Sequence, residues 1–117
     1  MLLEIDHRET AGGTVVVTLS GKLMLGPESQ QVETLVSELL EHGRRDFIID
    51  LAGITRIDST GIGRLIFCFN KIAEAGGRLL MAGAQGYLRE SFRVSRLDTV
   101  FRFYPDVETA AGKLQAG

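Results

Sequence analysis

Apolar positions along this chain follow two rhythms, and the switches between them mark out the elements. "LLEIDHR" and "TVVVTLS" read as strands, and the paired glycines of "TAGGT" suit a hairpin turn between them. The spacing then becomes helical in "GPESQQVETLVSELLEHG": Pro27 suits the first helical position, Val32, Leu35, Val36, Leu39 and Leu40 share one face, and Gly43 supplies the stop. "DFIIDL" reads as a short buried strand, a helix follows "DSTG", and "GRLLMAG" is another strand. "GYLRESFRVSRL" predicts a short helix carrying Leu88 and Phe92, less regular toward Leu97, and "TVFRFY" a last strand. Pro105-Asp106 then opens a terminal helix with Val107, Ala110, Ala111 and Leu114 inward. The expected fold is α/β: a small mixed sheet, antiparallel in its N-terminal hairpin and mainly parallel afterwards, backed by four helices through right-handed crossovers.

Composition narrows the function. No repeat, low-complexity tract or Pro/Ser-rich linker divides the chain, so residues 1–117 are expected to form one domain, large enough for a core without metal or disulfide staples. A net charge of −2, with 44% hydrophobic and 24% charged residues, argues against a nucleic-acid binder. Acids interrupt the apolar run after Met1 too early for a signal peptide, and no stretch reaches the length of a membrane span. The single cysteine, Cys68, excludes an internal disulfide, gives no metal-ligand spacing, and reads as a small hydrophobe. A cytoplasmic protein is the simplest expectation.

The candidate chemistry lies in "DSTGIG", residues 58–63. Asp58, Ser59 and Thr60 are all suited to capping a helix, because their oxygens satisfy its orphan N–H groups. A cap alone does not explain two glycines in the first turn, where each costs about 1 kcal/mol against Ala in a helix interior. On a helical wheel, Ile62, Leu65, Ile66, Phe69, Ile72 and Ala73 form one apolar arc, and Arg64, Asn70, Lys71 and Glu74 lie away from it. Gly61 and Gly63 project off that arc, so the expectation is a bare surface through which another protein could approach Ser59. Phe67 falls nearly opposite the arc. It is weighted toward partner contact, against the plain reading of a singly exposed aromatic. A phosphate on Ser59 would add roughly −1.5 to −2 charge at pH 7. The helix N-terminus would favour it and Asp58 would oppose it, so the surface would change more than the fold.

"IDLAGITRIDSTGIGRL" resembles the signature of STAS domains, especially the bacterial anti-sigma-factor antagonists. "TLSGKL", "EAGGRLLMAGA" and "FRVSRLDTVFRFY" extend the resemblance over nearly the whole chain. It implies a non-enzymatic partner switch. The unphosphorylated antagonist binds an anti-sigma factor that is also a serine kinase of the histidine-kinase-like ATPase type, phosphorylation releases that factor, and a serine phosphatase restores binding. Mapped by motif, the acceptor is Ser59, with Asp58, Thr60, Gly61 and Gly63 shaping the surface. ATP would belong to the partner, so no cofactor is expected here. Association of two copies into a homodimer is left open.

One departure from the family pattern stands in "GKLMLGPES". Many antagonists carry an Asp where this chain has Met24, and a thioether offers no charge and only a weak acceptor. Met24 with Leu25 then forms either an apolar contact patch near Ser59 or part of the core's closure. This loss favours a second function class, a non-phosphorylated STAS adaptor of a membrane transporter or signalling complex. Catalysis by Ser59 is disfavoured: His7 and His42 are the only imidazoles, and no G-x-S-x-G elbow is present. "GIGRLI" has Ile66 where a dinucleotide loop needs its third glycine, and Gly21-Lys22 is followed by Leu23 rather than a P-loop hydroxyl. Arg89, Arg93 and Arg96 read as a solvated face, with steering of an acidic partner as the sharper alternative.

Overall fold

The computed structural model describes residues 3–116. Leu2, the first apolar position of the expected N-terminal strand, lies outside them. Strand β1 (Leu3–Glu9) pairs antiparallel with β2 (Val15–Leu23). Their turn closes through Thr10 and Thr14, and Gly13 takes a left-handed φ of 85° there. Helix α1 (Pro27–Glu41) leads to β3 (Asp46–Ile57), α2 (Ser59–Glu74) to β4 (Arg78–Ala82), and α3 (Gly86–Val94) to β5 (Arg102–Tyr104) by way of a 3-10 turn at Leu97–Thr99. Helix α4 (Val107–Ala116) ends the described chain.

The sheet order is β1-β2-β3-β4-β5, antiparallel at the first pair and parallel thereafter. A monotonic order joined by right-handed crossovers puts α1, α2 and α3 on one face and leaves the other to α4. The core divides accordingly. Val15, Val17 and Leu19 of β2, Phe47 and Ile49 of β3 and Met81 of β4 bury against Val32, Val36, Leu65, Ile72 and Phe92 from the three helices. Val16, Ile48, Leu80 and Ala82 pack beneath Ala110 and Leu114 of α4. Burial on both faces explains the unbroken apolar runs of β2 and β3.

The largest departure from the sequence reading is the length of β3. "DFIIDL" is only its first half; the strand continues through "AGITRI" to Ile57. Pairing with β2 slips at Thr18/Ser20 and again at Gly21/Lys22, so β3 carries bulges that break the period of two. Ile54 and Ile57 are both buried although three positions apart, which disguised the second half as a loop.

Candidate functional site

Strands β2 and β3 end side by side, with Leu23 in register with Ile57. A single residue, Asp58, carries the chain from the end of β3 into α2. Its extended backbone (φ −117°, ψ −176°) is that of an N-cap, and the carboxylate is used twice. Oδ1 accepts from the Gly61 N–H at 2.8 Å, and Oδ2 accepts from the Leu25 N–H at 3.0 Å. Asp58 thereby caps α2 and ties the β2–α1 connection to its tip. The Leu25 bond first, then that of Gly61, holds the carboxyl below the ordinary carboxylate value, against the opposing effect of burial.

Ser59 is the first residue of α2 and is exposed; Thr60 is half-buried. The two glycines part company. A Cβ on Gly63 would meet nothing within 4 Å, as the bare-surface reading requires. A Cβ on Gly61 would stand 1.9 Å from the Leu23 carbonyl oxygen and 2.9 Å from Ile57 Cγ1. Gly61 is buried, so the expectation that it clears the surface for a partner does not hold. It lets the helix tip seat on the end of β2.

The wheel is corrected in the same sense. The buried residues of α2 are Gly61, Leu65, Cys68 and Ile72, while Ile62, Ile66 and Phe69 are half-buried and Ala73 is exposed. That seam is turned by roughly 70° from the arc read off the sequence, at about 100° per residue. The cause is α1, which lies alongside. Arg64 donates to Ser29 Oγ at 3.1 Å and pairs with Glu33 at 3.5 Å. Phe67 is consequently half-buried against the edge of the core, with Lys71 Nζ 5.8 Å from its ring centre, and is no freely exposed aromatic. Cys68 is fully buried, and burial pushes its thiol up to about 12, which suits a packing residue.

Met24 is half-buried and Leu25 is 76% exposed. Together with Lys22 and Glu28 they line a recess of ≈ 240 Å³. Leu25 therefore takes no part in closing the core. Tyr87, at the start of α3, escaped the sequence reading: its hydroxyl donates to the Ile57 carbonyl at 3.3 Å, directly before Asp58. Its one sequence signal is an aromatic in the first turn of α3, off the face of Leu88 and Phe92. His42 accepts no role near Ser59; its Nδ1 lies 2.8 Å from the Glu38 carbonyl at the C-terminus of α1, and His7 is exposed on β1. Arg89 stacks over Phe103, 4.3 Å from the ring centre, and Arg93 pairs with Glu90, so two of the three α3-region arginines are engaged within the chain. Among the described residues no group of three or more His, Cys, Asp and Glu could hold a metal ion, and no helix is long and apolar enough to cross a membrane.

The family model for the STAS domain matches residues 6–110. Solved structures with the same fold include an anti-sigma factor antagonist from Mycobacterium paratuberculosis, at 18% identity and TM-score 0.82, covering 97% of this chain and 94% of that one. The Bacillus cell fate determinant SpoIIAA in its phosphorylated form matches at 20% identity and TM-score 0.75, over 95% of this chain and 99% of that one. A sulfate transporter family protein from Wolinella succinogenes matches at 17% identity and TM-score 0.70, over 92% and 89%.

Proposed function

The chain belongs to the STAS domain family, and from that premise we propose that it is an anti-sigma-factor antagonist switched by phosphate on Ser59. Residues 1–117 act as one domain in the cytoplasm, without enzymatic activity or a cofactor of their own. With Ser59 unmodified, the chain binds an anti-sigma factor that is also an ATP-dependent serine kinase, and so influences transcription without touching DNA. The kinase transfers the γ-phosphoryl group of ATP to the Ser59 hydroxyl, ADP and a proton leave, and the complex separates. A serine phosphatase resets the switch.

The observation that carries this reading is the exposure of Ser59 as the first residue of α2. A hydroxyl there can enter a kinase cleft, helped by the open space at Gly63. The added dianion meets two opposing influences: the positive end of the helix, and Asp58, whose carboxylate is ionised and held in place. These offset within the domain but not at a partner's surface, where a neutral hydroxyl has become a solvated anion. The test is incubation with the chain's cognate ATPase-kinase and ATP. One phosphate on Ser59 is expected by mass spectrometry, with loss of the complex. Phosphate on Thr60 alone, or none, refutes the switch.

A second reading draws on Met24 and the exposed Leu25, and on a transporter-family protein with the same fold. As a non-phosphorylated adaptor, the chain would use the same helix tip to hold a transporter or signalling complex. A stable complex indifferent to Ser59→Asp would favour it.

A further inference from the structure

The large apolar side chains exposed among the described residues are Leu25, Tyr87, Val94 and Val100. Leu25 and Tyr87, 76% and 58% exposed, are both tethered to the dipeptide that leads into Ser59. The Leu25 N–H donates to Asp58 Oδ2 at 3.0 Å, and the Tyr87 hydroxyl donates to the Ile57 carbonyl at 3.3 Å. Holding an aliphatic and an aromatic group out in water gains an isolated domain nothing. It suits an interface, where large apolar anchors carry affinity and prior ordering lowers the entropic cost of docking.

Charge gives the second observation. Lys22 and Arg56 are in register on the neighbouring strands β2 and β3, one residue before Leu23 and Ile57, and both are exposed. Among the described residues neither forms an ion pair: the pairs are Arg44–Glu9, Arg64–Glu33, Arg78–Asp46 and Arg93–Glu90. Glu28 shares the recess with Lys22 without pairing to it, and the Asp58 carboxylate is occupied by two N–H groups. Two like charges side by side in a sheet repel, and among the described residues neither has a carboxylate within ion-pair distance.

We propose that Lys22, Leu25, Arg56 and Tyr87 form one docking surface around the α2 tip, for a protein partner that presents an apolar recess rimmed with carboxylates. This rests on the partner-switch reading of Ser59 and names the chemistry of that partner. A protein is favoured over an anionic membrane because two cations fall short of the clusters of about 4–8 that hold a segment to lipid. The carboxylate rim would steer the encounter and the recess would hold it.

The experiment is calorimetric titration of the unphosphorylated chain against the protein that it binds with Ser59 free. Leu25→Ala and Tyr87→Ala are each expected to raise Kd about tenfold or more. Tyr87→Phe keeps the ring, loses the tether, and should raise it about threefold through lost preorganisation. The Lys22→Glu/Arg56→Glu pair should raise Kd about tenfold and flatten its dependence on salt. Val94→Ala and Val100→Ala, away from the tip, serve as controls with less than about twofold change. Unchanged Kd for Leu25→Ala, Tyr87→Ala and the charge reversal, with binding still abolished by Ser59→Asp, overturns this surface and leaves the switch standing. Loss of binding in those variants with indifference to Ser59→Asp supports the surface and overturns the switch. Binding to vesicles of anionic phospholipid, lost in the same variants, overturns the assignment to a protein.

Discussion

Gly61 and Gly63 stand two positions apart on α2, yet one is pressed against the end of a strand and the other faces open space. The same division runs through the whole helix. Gly61, Leu65, Cys68 and Ile72 form a buried seam, while Ser59 and Gly63 belong to an exposed tip. Identical residues two positions apart therefore meet different surroundings: Gly61 packs against the end of β2, and Gly63 faces open space. Residue type does not separate the two; contact does.

Gly61→Ala puts this contrast to its hardest test. The added methyl would lie 1.9 Å from the Leu23 oxygen and 2.8 Å from its carbonyl carbon, backbone atoms that cannot rotate aside. We expect a loss of about 3 kcal/mol or more, read as a lower urea midpoint, or failure to fold. A variant as stable as the parent would show that the tip is not seated on β2. Phe67→Ala should cost about 1.5–2.5 kcal/mol, half of a fully buried Phe truncation, because its ring is half-buried. A normal melt with weakened partner binding would move Phe67 from the seam's border to the tip.

Asp58→Ala removes a cap and the tether to Leu25 together, and should cost about 1 kcal/mol. The sign of the pH effect follows from the direction of its shift. The folded carboxyl titrates below its ordinary value of 3.8, so its stabilisation is fully present above that value. It is lost as pH falls through the lower folded value. Asp58→Asn should therefore lose less stability than the parent on acidification below about pH 4. An identical acid limb in the two proteins would rule out this contribution. The smallest effect, with opposite sign, belongs to Gly63→Ala: a gain of up to about 1 kcal/mol from helix propensity, with weaker partner binding. A loss of stability instead would place Gly63 in the packed region.

Much of the architecture was legible because it is written in local periodicity and turn chemistry. The Gly12-Gly13 hairpin, the start of α1 at Pro27, and the inward face of α4 at Val107, Ala110, Ala111 and Leu114 all appear as read. The placement of Ser59 at the start of α2 was legible too, from the capping run Asp58-Ser59-Thr60, of which the structure makes Asp58 the cap. The second half of β3 was not, because bulges interrupt the alternation on which strand reading depends. Tyr87 was missed for a different reason: its place at the tip depends on a hydrogen bond spanning 30 residues.

The amino-acid order by itself determined the α/β alternation, the hairpin, the four helices and a serine following a capping acid, since backbone sterics and the periods of helix and strand act over neighbouring residues. Only the tertiary structure decided how far α2 rolls toward α1, which of its glycines is buried, and which residues are tied to Ile57 and Asp58. Those outcomes arise between separate elements: Arg64 against Ser29 and Glu33, Leu23 beside Ile57, Leu25 bonded to Asp58 and Tyr87 bonded to Ile57. Interactions between distant segments leave no period in a sequence, because each partner sees only its own neighbours along the chain.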